Sequence, residues 1–111
     1  MIGEPASTSS SGNPFADLGM SDADTRLAKA RIAQKITAIM RDRGLTQREV
    51  AKVLDISQPR VSEITRGQLK DVSLQRLMEL VKSLDMDVEI TVIPNPEPAQ
   101  RSARLVVREM A

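Results

Sequence analysis

Five of the side chains able to make hydrogen bonds within nine consecutive residues, 58–66, are the first candidates for a binding surface. They are Gln58, Arg60, Ser62, Glu63 and Arg66. Amide, guanidinium, hydroxyl and carboxylate groups together offer both donors and acceptors. The chain contains no His and no Cys, which excludes histidine acid–base catalysis, thiolate metal sites and cysteine nucleophiles. The chemistry expected of this stretch is therefore reversible hydrogen bonding and charge pairing with a partner.

Two short helices joined by a three-residue turn are predicted to position these side chains. Thr46 and Glu49 form the T-x-x-E capping box that is typical of a helix start. Ser57 is placed to cap the second helix, and Pro59 lies in its first turn, where the missing N–H costs little. The apolar residues expected to face inward are Val50, Ala51, Leu54, Ile56, Val61 and Ile64. This spacing packs the second helix against the first and leaves its polar side outside.

Two further helices are predicted on either side of this pair. A long helix should run from about Asp22 to Arg43, with Ser21 as its N-cap and Gly44 just beyond its end. Its apolar stripe comprises Leu27, Ile32, Ile36, Ile39 and Met40. Ser73 should cap a fourth helix. The stripe of that helix comprises Leu74, Leu77, Met78, Val81 and Leu84.

The hydrophobic period changes from helical to alternating near the C-terminus. Met86, Val88, Ile90 and Val92 alternate with polar residues, which predicts a half-buried strand over Met86–Ile93, and a weaker strand is expected over Ala103–Arg108. The expected fold is therefore mainly α, with four to five helices and a C-terminal β-strand or hairpin. Because a lone edge strand tends to pair with another strand, Met86–Ile93 is expected to pair both with Ala103–Arg108 of its own chain and with a second subunit. Met86, Val88, Ile90 and Val92 are the predicted dimer interface. A hairpin within a monomer is the alternative.

Charge is distributed unevenly along the chain. Residues 1–25 carry a net charge of −4, residues 26–82 of +7, and residues 83–111 of −2. The basic middle suggests a polyanionic partner, although solvated helix faces would give the same composition. The N-terminus lacks the apolar core of a signal peptide, and no apolar run approaches the ~20 residues of a membrane span. A soluble cytoplasmic protein is expected.

The stretch LTQREVAKVLDISQPRVSEITRG, Leu45 to Gly67, resembles the helix-turn-helix of the lambda-repressor and Cro group, the XRE family. The resemblance covers roughly Ile32 to Leu84. One departure is Asp55, where the family usually has a glycine in a left-handed conformation. Asp tolerates that conformation better than most residues, so we expect Asp55 to adopt it at some cost in stability. The resemblance implies sequence-specific binding of double-stranded DNA without a cofactor.

The resemblance also implies which side chains touch DNA. The predicted base-contacting residues are Gln58, Pro59, Arg60, Ser62 and Glu63. Gln can pair with adenine, Arg with guanine, Glu with cytosine, and Pro59 with a thymine methyl group. The predicted phosphate contacts are Gln47, Arg48, Ser57, Arg66 and Lys70. A two-fold dimer would place two recognition helices about 34–36 Å apart on a palindromic operator. The alternative to a DNA-binding helix-turn-helix is a helical hairpin with ordinary solvated charge.

The motif NPFADLG, residues 13–19, together with the helices and the segment DVEITVIP, resembles the antitoxin subgroup of XRE proteins, similar to HigA. That resemblance implies a RelE/HigB-like ribonuclease toxin as partner, and repression of the shared operon. Phe15, Asp17 and Leu18 are the candidate toxin-binding residues; a disordered tail with a stray hydrophobic pair is the alternative. The expected organisation is a disordered or partner-binding segment over residues 1–20, a DNA-binding domain over 21–85, and a dimerisation segment over 86–111.

Three other functions are weighed against the antitoxin. One is a stand-alone regulator without a toxin, and another is a protein-interaction module that has lost DNA binding. An enzyme is not expected, because the sequence has no phosphate-binding loop, nucleophile elbow or metal cluster. The acidic residues Asp87 and Glu89 fall on the predicted solvent face of the strand.

Overall fold

The computed structural model describes residues 22–110, which form four α-helices. They are α1 (Asp22–Asp42), α2 (Gln47–Leu54), α3 (Gln58–Thr65) and α4 (Leu74–Lys82). Ser21 and the candidate toxin-binding residues Phe15, Asp17 and Leu18 lie outside the described residues. In the described part, none of the helices has the length and apolar character that crossing a bilayer requires.

Helices α2, α3 and α4 begin where the sequence places their caps. The Thr46 backbone N–H donates to the Glu49 carboxylate over 2.8 Å, and the Glu49 N–H donates to the Thr46 hydroxyl over 3.1 Å, which completes the predicted capping box. Ser57 accepts from the N–H of Arg60, and Ser73 accepts in the same way at the start of α4. Such caps satisfy backbone donors that have no partner within the helix.

The core is aliphatic, as predicted, but the buried stripe of α1 differs at its start. Leu27 was expected in the core and is 53% exposed, whereas Thr25, Ala28 and Ala33 are buried. The line through positions 25, 28 and 32 follows the helical period, and Leu27 lies about 100° away from Ala28 around the helix. The small side chains Ala28 and Ala33 contribute to the surface with which α1 contacts α4 and α3.

Two long side chains of α1 also hold the loops that flank α4. The Lys29 ammonium group donates to the carbonyl of Leu69 over 3.2 Å, and the Arg43 guanidinium donates to the carbonyl of Leu84 over 2.8 Å. The first bond ties down the loop between α3 and α4, and the second satisfies a carbonyl beyond the end of α4. Helix α1 is therefore the element against which α3 and α4 are positioned.

Asp55 has the left-handed conformation that the sequence predicted, with φ 56° and ψ 47°. Its N–H donates to the carbonyl of Lys52, and the N–H of Ile56 donates to the carbonyl of Ala51. The half-buried Ile56 then packs against the core. A left-handed residue is what allows the chain to reverse from α2 to α3 within three residues.

The strand predictions are wrong for the described chain. Neither Met86–Ile93 nor Ala103–Arg108 forms a strand, and no strand is present among residues 22–110. Of the four predicted interface residues, Met86 is half-buried and packs against the core, whereas Val88, Ile90 and Val92 are exposed. A strand exists only through a hydrogen-bonded neighbour, and the second segment is held elsewhere.

Contacts with α1 remove the second segment from its expected partner. The Leu105 N–H donates to the Asp24 carboxylate over 3.2 Å, and Arg31 donates to the carbonyl of Val107 over 3.0 Å. Lys35 forms an ion pair with Glu109 at 2.9 Å. Leu105 and Val107 of this segment are half-buried and pack against the core, so its inner side packs on a helix instead of completing a hairpin.

The left-handed conformation of Asp55 makes a prediction about stability. Replacement by glycine, Asp55→Gly, should raise the free energy of unfolding by about 0.5–1 kcal/mol, because glycine adopts positive φ without a steric penalty. Asp55→Ala is the matched variant and should lower it, because alanine lacks both that freedom and the local hydrogen bonding of an aspartate. Urea unfolding of the three proteins measures this; equal midpoints for glycine and alanine would contradict the strain.

Candidate nucleic-acid interface

Helix α3 is anchored by a buried inner side and presents a polar outer side. Val61 and Ile64 are each 1% exposed, and α3 packs against both α1 and α2. Pro59 lies in the first turn behind the Ser57 cap. Burying two β-branched side chains in a helix of eight residues leaves little freedom for rotation about its axis. The orientation of the outer side is therefore set by the core.

The structure brings the five predicted base-contacting residues onto this one helix surface. Gln58 and Pro59 are exposed at its start, while Arg60, Ser62 and Glu63 are half-buried along its side. We call these five residues the recognition surface. No other described helix covers this surface. The contacts of the individual residues with bases remain predictions.

Within the recognition surface, Arg60 is oriented by Glu63. A guanidinium nitrogen of Arg60 lies 3.2 Å from a carboxylate oxygen of Glu63, and the two side chains are 37% and 39% exposed. A pair this exposed is weak, on the order of 0–1 kcal/mol. Because arginine has five N–H donors, the pair favours this direction of the side chain and leaves donors for a further acceptor.

The predicted phosphate-contacting residues surround α3. The Arg66 guanidinium donates to both the carbonyl and the hydroxyl of Ser62 over 3.2 Å, which holds it along the helix. The Gln47 amide donates to the Thr65 hydroxyl over 3.5 Å and so links the start of α2 to the end of α3. Arg48 and Lys70 are exposed. Ser57 has its hydroxyl engaged in the cap.

A cleft between α3 and α4 extends the surface beyond what the sequence analysis found. It has a volume of about 450 Å³. Its lining comprises Ile56, Ser57, Arg60, Asp71, Val72, Ser73, Arg76 and Leu80. The capped starts of two helices and two guanidinium groups thus meet at one place, together with the carboxylate of Asp71. Partial positive charge from the helix ends adds to that of the arginines, and Asp71 offsets part of it.

A repeated pattern in the sequence could have indicated Arg76. The sequence S-x-x-R-x-x-E occurs at Ser57-Arg60-Glu63 and again at Ser73-Arg76-Glu79. Both copies have the same geometry, since Arg76 pairs with Glu79 at 3.3 Å much as Arg60 pairs with Glu63. Each serine accepts the N–H of its own arginine. Helices α3 and α4 therefore present equivalent first turns to the same cleft.

Electrostatics single out one carboxylate near the site. The backbone N–H of Thr46, followed by its hydroxyl, holds the pKa of Glu49 below its ordinary value, and Lys52 lowers it further. The carboxylate is charged in the capping box and complements the positive end of α2. Among the described residues, no group of three or more His, Cys, Asp or Glu side chains could hold a metal ion.

Comparison with known proteins identifies relatives of this arrangement. A family model described as a helix-turn-helix domain matches residues 14–93, well over half of the chain. A solved structure provisionally named as that of an XRE-family transcriptional regulator is 36% identical with a TM-score of 0.75. That match covers 81% of this chain and 100% of the other. The comparison with curated proteins gave no match.

The lowered pKa of Glu49 predicts a specific pH dependence of stability. Its carboxylate stabilises the fold at pH values above its ordinary pKa of about 4.5. This contribution is lost as the pH falls through the lowered pKa of the folded state. Glu49→Gln keeps an acceptor but removes the charge. The difference in unfolding free energy between wild type and Glu49→Gln should be constant from pH 7 to about 5, and should decrease below that. Parallel profiles down to pH 3 in urea titrations would contradict this.

Proposed function

Because the chain belongs to the helix-turn-helix family of the XRE type, we propose that it is a sequence-specific DNA-binding transcriptional repressor. The observation that carries this proposal is the packing of α3. Its inner residues Val61 and Ile64 are fully buried, while Gln58 and Pro59 at its start are exposed. A helix that reads bases must be held rigidly and must present polar side chains near its N-terminus.

The recognition surface would contact base edges in the major groove, which admits one α-helix. Arg60, already directed by Glu63, is suited to a bidentate contact with guanine, and Gln58 to a contact with adenine. Ser62 and Glu63 lie beside them. The ion pair of Arg60 need not break for such a contact, because only part of the guanidinium is engaged with Glu63.

Phosphate groups would be bound on both sides of the groove-facing helix. Gln47 and Ser57 lie at helix starts, where backbone N–H groups favour anions, and Arg48, Arg66 and Lys70 add charge nearby. The cleft adds Ser73 and Arg76 to this set. Since Arg60 and Arg76 line the same cleft, we propose that Arg60 reads a base while Arg76 binds the adjacent backbone.

We also propose that the protein binds as a homodimer to a palindromic operator, acting in the cytoplasm on the nucleoid. Two recognition helices related by a two-fold axis would then enter successive major grooves about 34–36 Å apart. We propose that it functions by binding alone, with neither a cofactor nor catalysis, and the hydrogen-bonding side chains on the outer side of α3 support this.

A finer proposal concerns the residues before α1. The antitoxin resemblance supports a role in which the chain neutralises a RelE/HigB-like ribonuclease and represses the operon that encodes both proteins. Phe15, Asp17 and Leu18 are the proposed toxin contacts, because an acidic segment with apolar side chains suits the surface of a basic RNA-binding protein. The degree of repression would then depend on the ratio of toxin to antitoxin.

The second candidate is a stand-alone regulator. The similar solved structure is named as a transcriptional regulator, and the match to this sequence covers its full length. That name does not mention a toxin. Both candidates use the same DNA-binding surface. They differ in whether the residues before α1 have a protein partner.

Arg60→Ala tests the assignment of base contacts. We expect it to cost about 1–3 kcal/mol on the operator and to relax specificity at one base position. Arg76→Ala should instead weaken binding to all duplexes alike and reduce the slope of log K against log salt concentration by about one. Arg26→Ala, which removes an exposed ion pair outside both surfaces, is the matched control and should bind as wild type.

These three variants are compared by fluorescence anisotropy on operator and scrambled duplexes at several salt concentrations. A uniform loss with Arg60→Ala would show that Arg60 contacts phosphate only. No binding by the wild-type protein to any promoter fragment at low salt would overturn the proposed function.

Co-expression with the chromosomally adjacent gene separates the two candidate functions. For an antitoxin we expect growth arrest by the neighbour alone, relief on co-expression, and co-purification of the two proteins. The double variant Phe15→Ala/Leu18→Ala should lose relief and still bind the operator. A harmless neighbour that does not co-purify would favour the stand-alone regulator.

A further inference from the structure

Half of the large hydrophobic side chains left exposed in the described chain lie in the single segment Met86–Ile93. They are Val88, Ile90, Val92 and Ile93, with exposed fractions of 37%, 74%, 92% and 70%. Val88, Ile90 and Val92 alternate with Asp87, Glu89 and Thr91. In an extended conformation Val88, Ile90 and Val92 would lie on one face. Asp87, Glu89, Thr91 and Ile93 would lie on the other.

The described part of the chain supplies no partner for this segment. Among residues 22–110, no backbone N–H or C=O group of Met86–Ile93 makes a hydrogen bond. The next turn is closed by the Asn95 amide, which donates to the carbonyl of Arg101 over 3.1 Å. Beyond it, Leu105 and Val107 pack against the core and are bonded to α1. The segment that could have formed a hairpin is therefore engaged.

We propose that Met86–Ile93 pairs with the same segment of a second copy, in an antiparallel ladder whose two-fold axis passes through Ile90. The segment becomes a strand only in that pairing, which is why the isolated chain has none. This inference rests on the homodimer proposed above and is independent of DNA binding.

Charge selects this register from its neighbours. With the axis at Ile90, Glu89 lies opposite the partner's Thr91, and Val88 lies opposite the partner's Val92. An axis at Glu89 would place two glutamates opposite each other, and an axis at Val88 would place Asp87 opposite the partner's Glu89. Like charges directly opposite are destabilising. Parallel in-register pairing would likewise set each acid against its own copy.

Proline supports the same register. The axis at Ile90 places Pro94 opposite the partner's Met86, at the end of the ladder. Opposed pairs alternate between hydrogen-bonded and non-hydrogen-bonded pairs, and this pair is of the same kind as the central pair of Ile90 residues. If these are the non-hydrogen-bonded pairs, the missing N–H of Pro94 costs nothing, and residues 87, 89, 91 and 93 supply about eight backbone hydrogen bonds. Moving the axis to Thr91 would place Val88 opposite the partner's Pro94 and Met86 opposite the partner's Pro96, which leaves fewer aliphatic pairs.

Single cysteines test the register, because the chain has no cysteine of its own. In the proposed ladder the two copies of residue 90 have Cα atoms about 4.5 Å apart, within the range of a disulfide. Ile90→Cys should therefore form a disulfide-linked dimer under mild oxidation. Val88→Cys and Val92→Cys alone should not, since like residues are about 14 Å apart. A mixture of these two variants should link to each other.

The readout is a non-reducing gel with a size tag on one variant, and Val53→Cys on α2, an exposed residue outside the segment, is the control that should stay unlinked. Ile90→Lys should raise the dimer dissociation constant at least about tenfold, with unchanged helical circular dichroism. A wild-type dimer without linkage of Ile90→Cys would overturn the register, as would equal self-linkage at residues 88, 90 and 92. A wild-type monomer at micromolar concentration in sedimentation would overturn both the register and the dimer; loss of duplex binding alone would overturn only the DNA-binding proposal.

Discussion

Burial of Val61 and Ile64 fixes the orientation of α3, and the recognition surface depends on it. A helix of two turns has too little intrinsic stability to hold its own direction in water. Packing of α3 against α1 and α2 supplies that direction. The caps at Thr46 and Ser57 fix the residues at which α2 and α3 begin. With the inner side held by aliphatic contacts, the outer side can carry polar side chains that contribute little to folding.

The left-handed Asp55 shows how tightly the two helices are joined. Residues 55–57 include a change of direction, a half-buried apolar plug and the N-cap of the next helix. A residue other than glycine at positive φ costs free energy, and its presence here means that the geometry of the turn outweighs local preference. The same residues that shorten the turn also bring Ser57 and Arg60 to the edge of the cleft.

The two S-x-x-R-x-x-E patterns give the cleft its character. Each couples a capped helix start to an arginine that is directed by a glutamate one turn later. Because the pairs are exposed and weak, the arginines can exchange or share their partners when a stronger acceptor approaches. A DNA duplex offers two kinds of acceptor side by side, base edges and phosphates, which agrees with the roles proposed for Arg60 as a base contact and Arg76 as a backbone contact.

The sequence by itself determined the four helices, the caps of α2, α3 and α4, the left-handed Asp55 and the polar face of α3, because each depends on residues within a few positions of one another. It also showed which C-terminal residues alternate. Only the tertiary structure decided that Leu27 stays outside the core, that Arg76 joins Arg60 across a cleft, and that Leu105 and Val107 pack on α1 instead of pairing with Met86–Ile93. These outcomes depend on contacts between residues far apart in the chain, such as Asp24 with Leu105, and alternation or periodicity gives a face its character without specifying what it packs against.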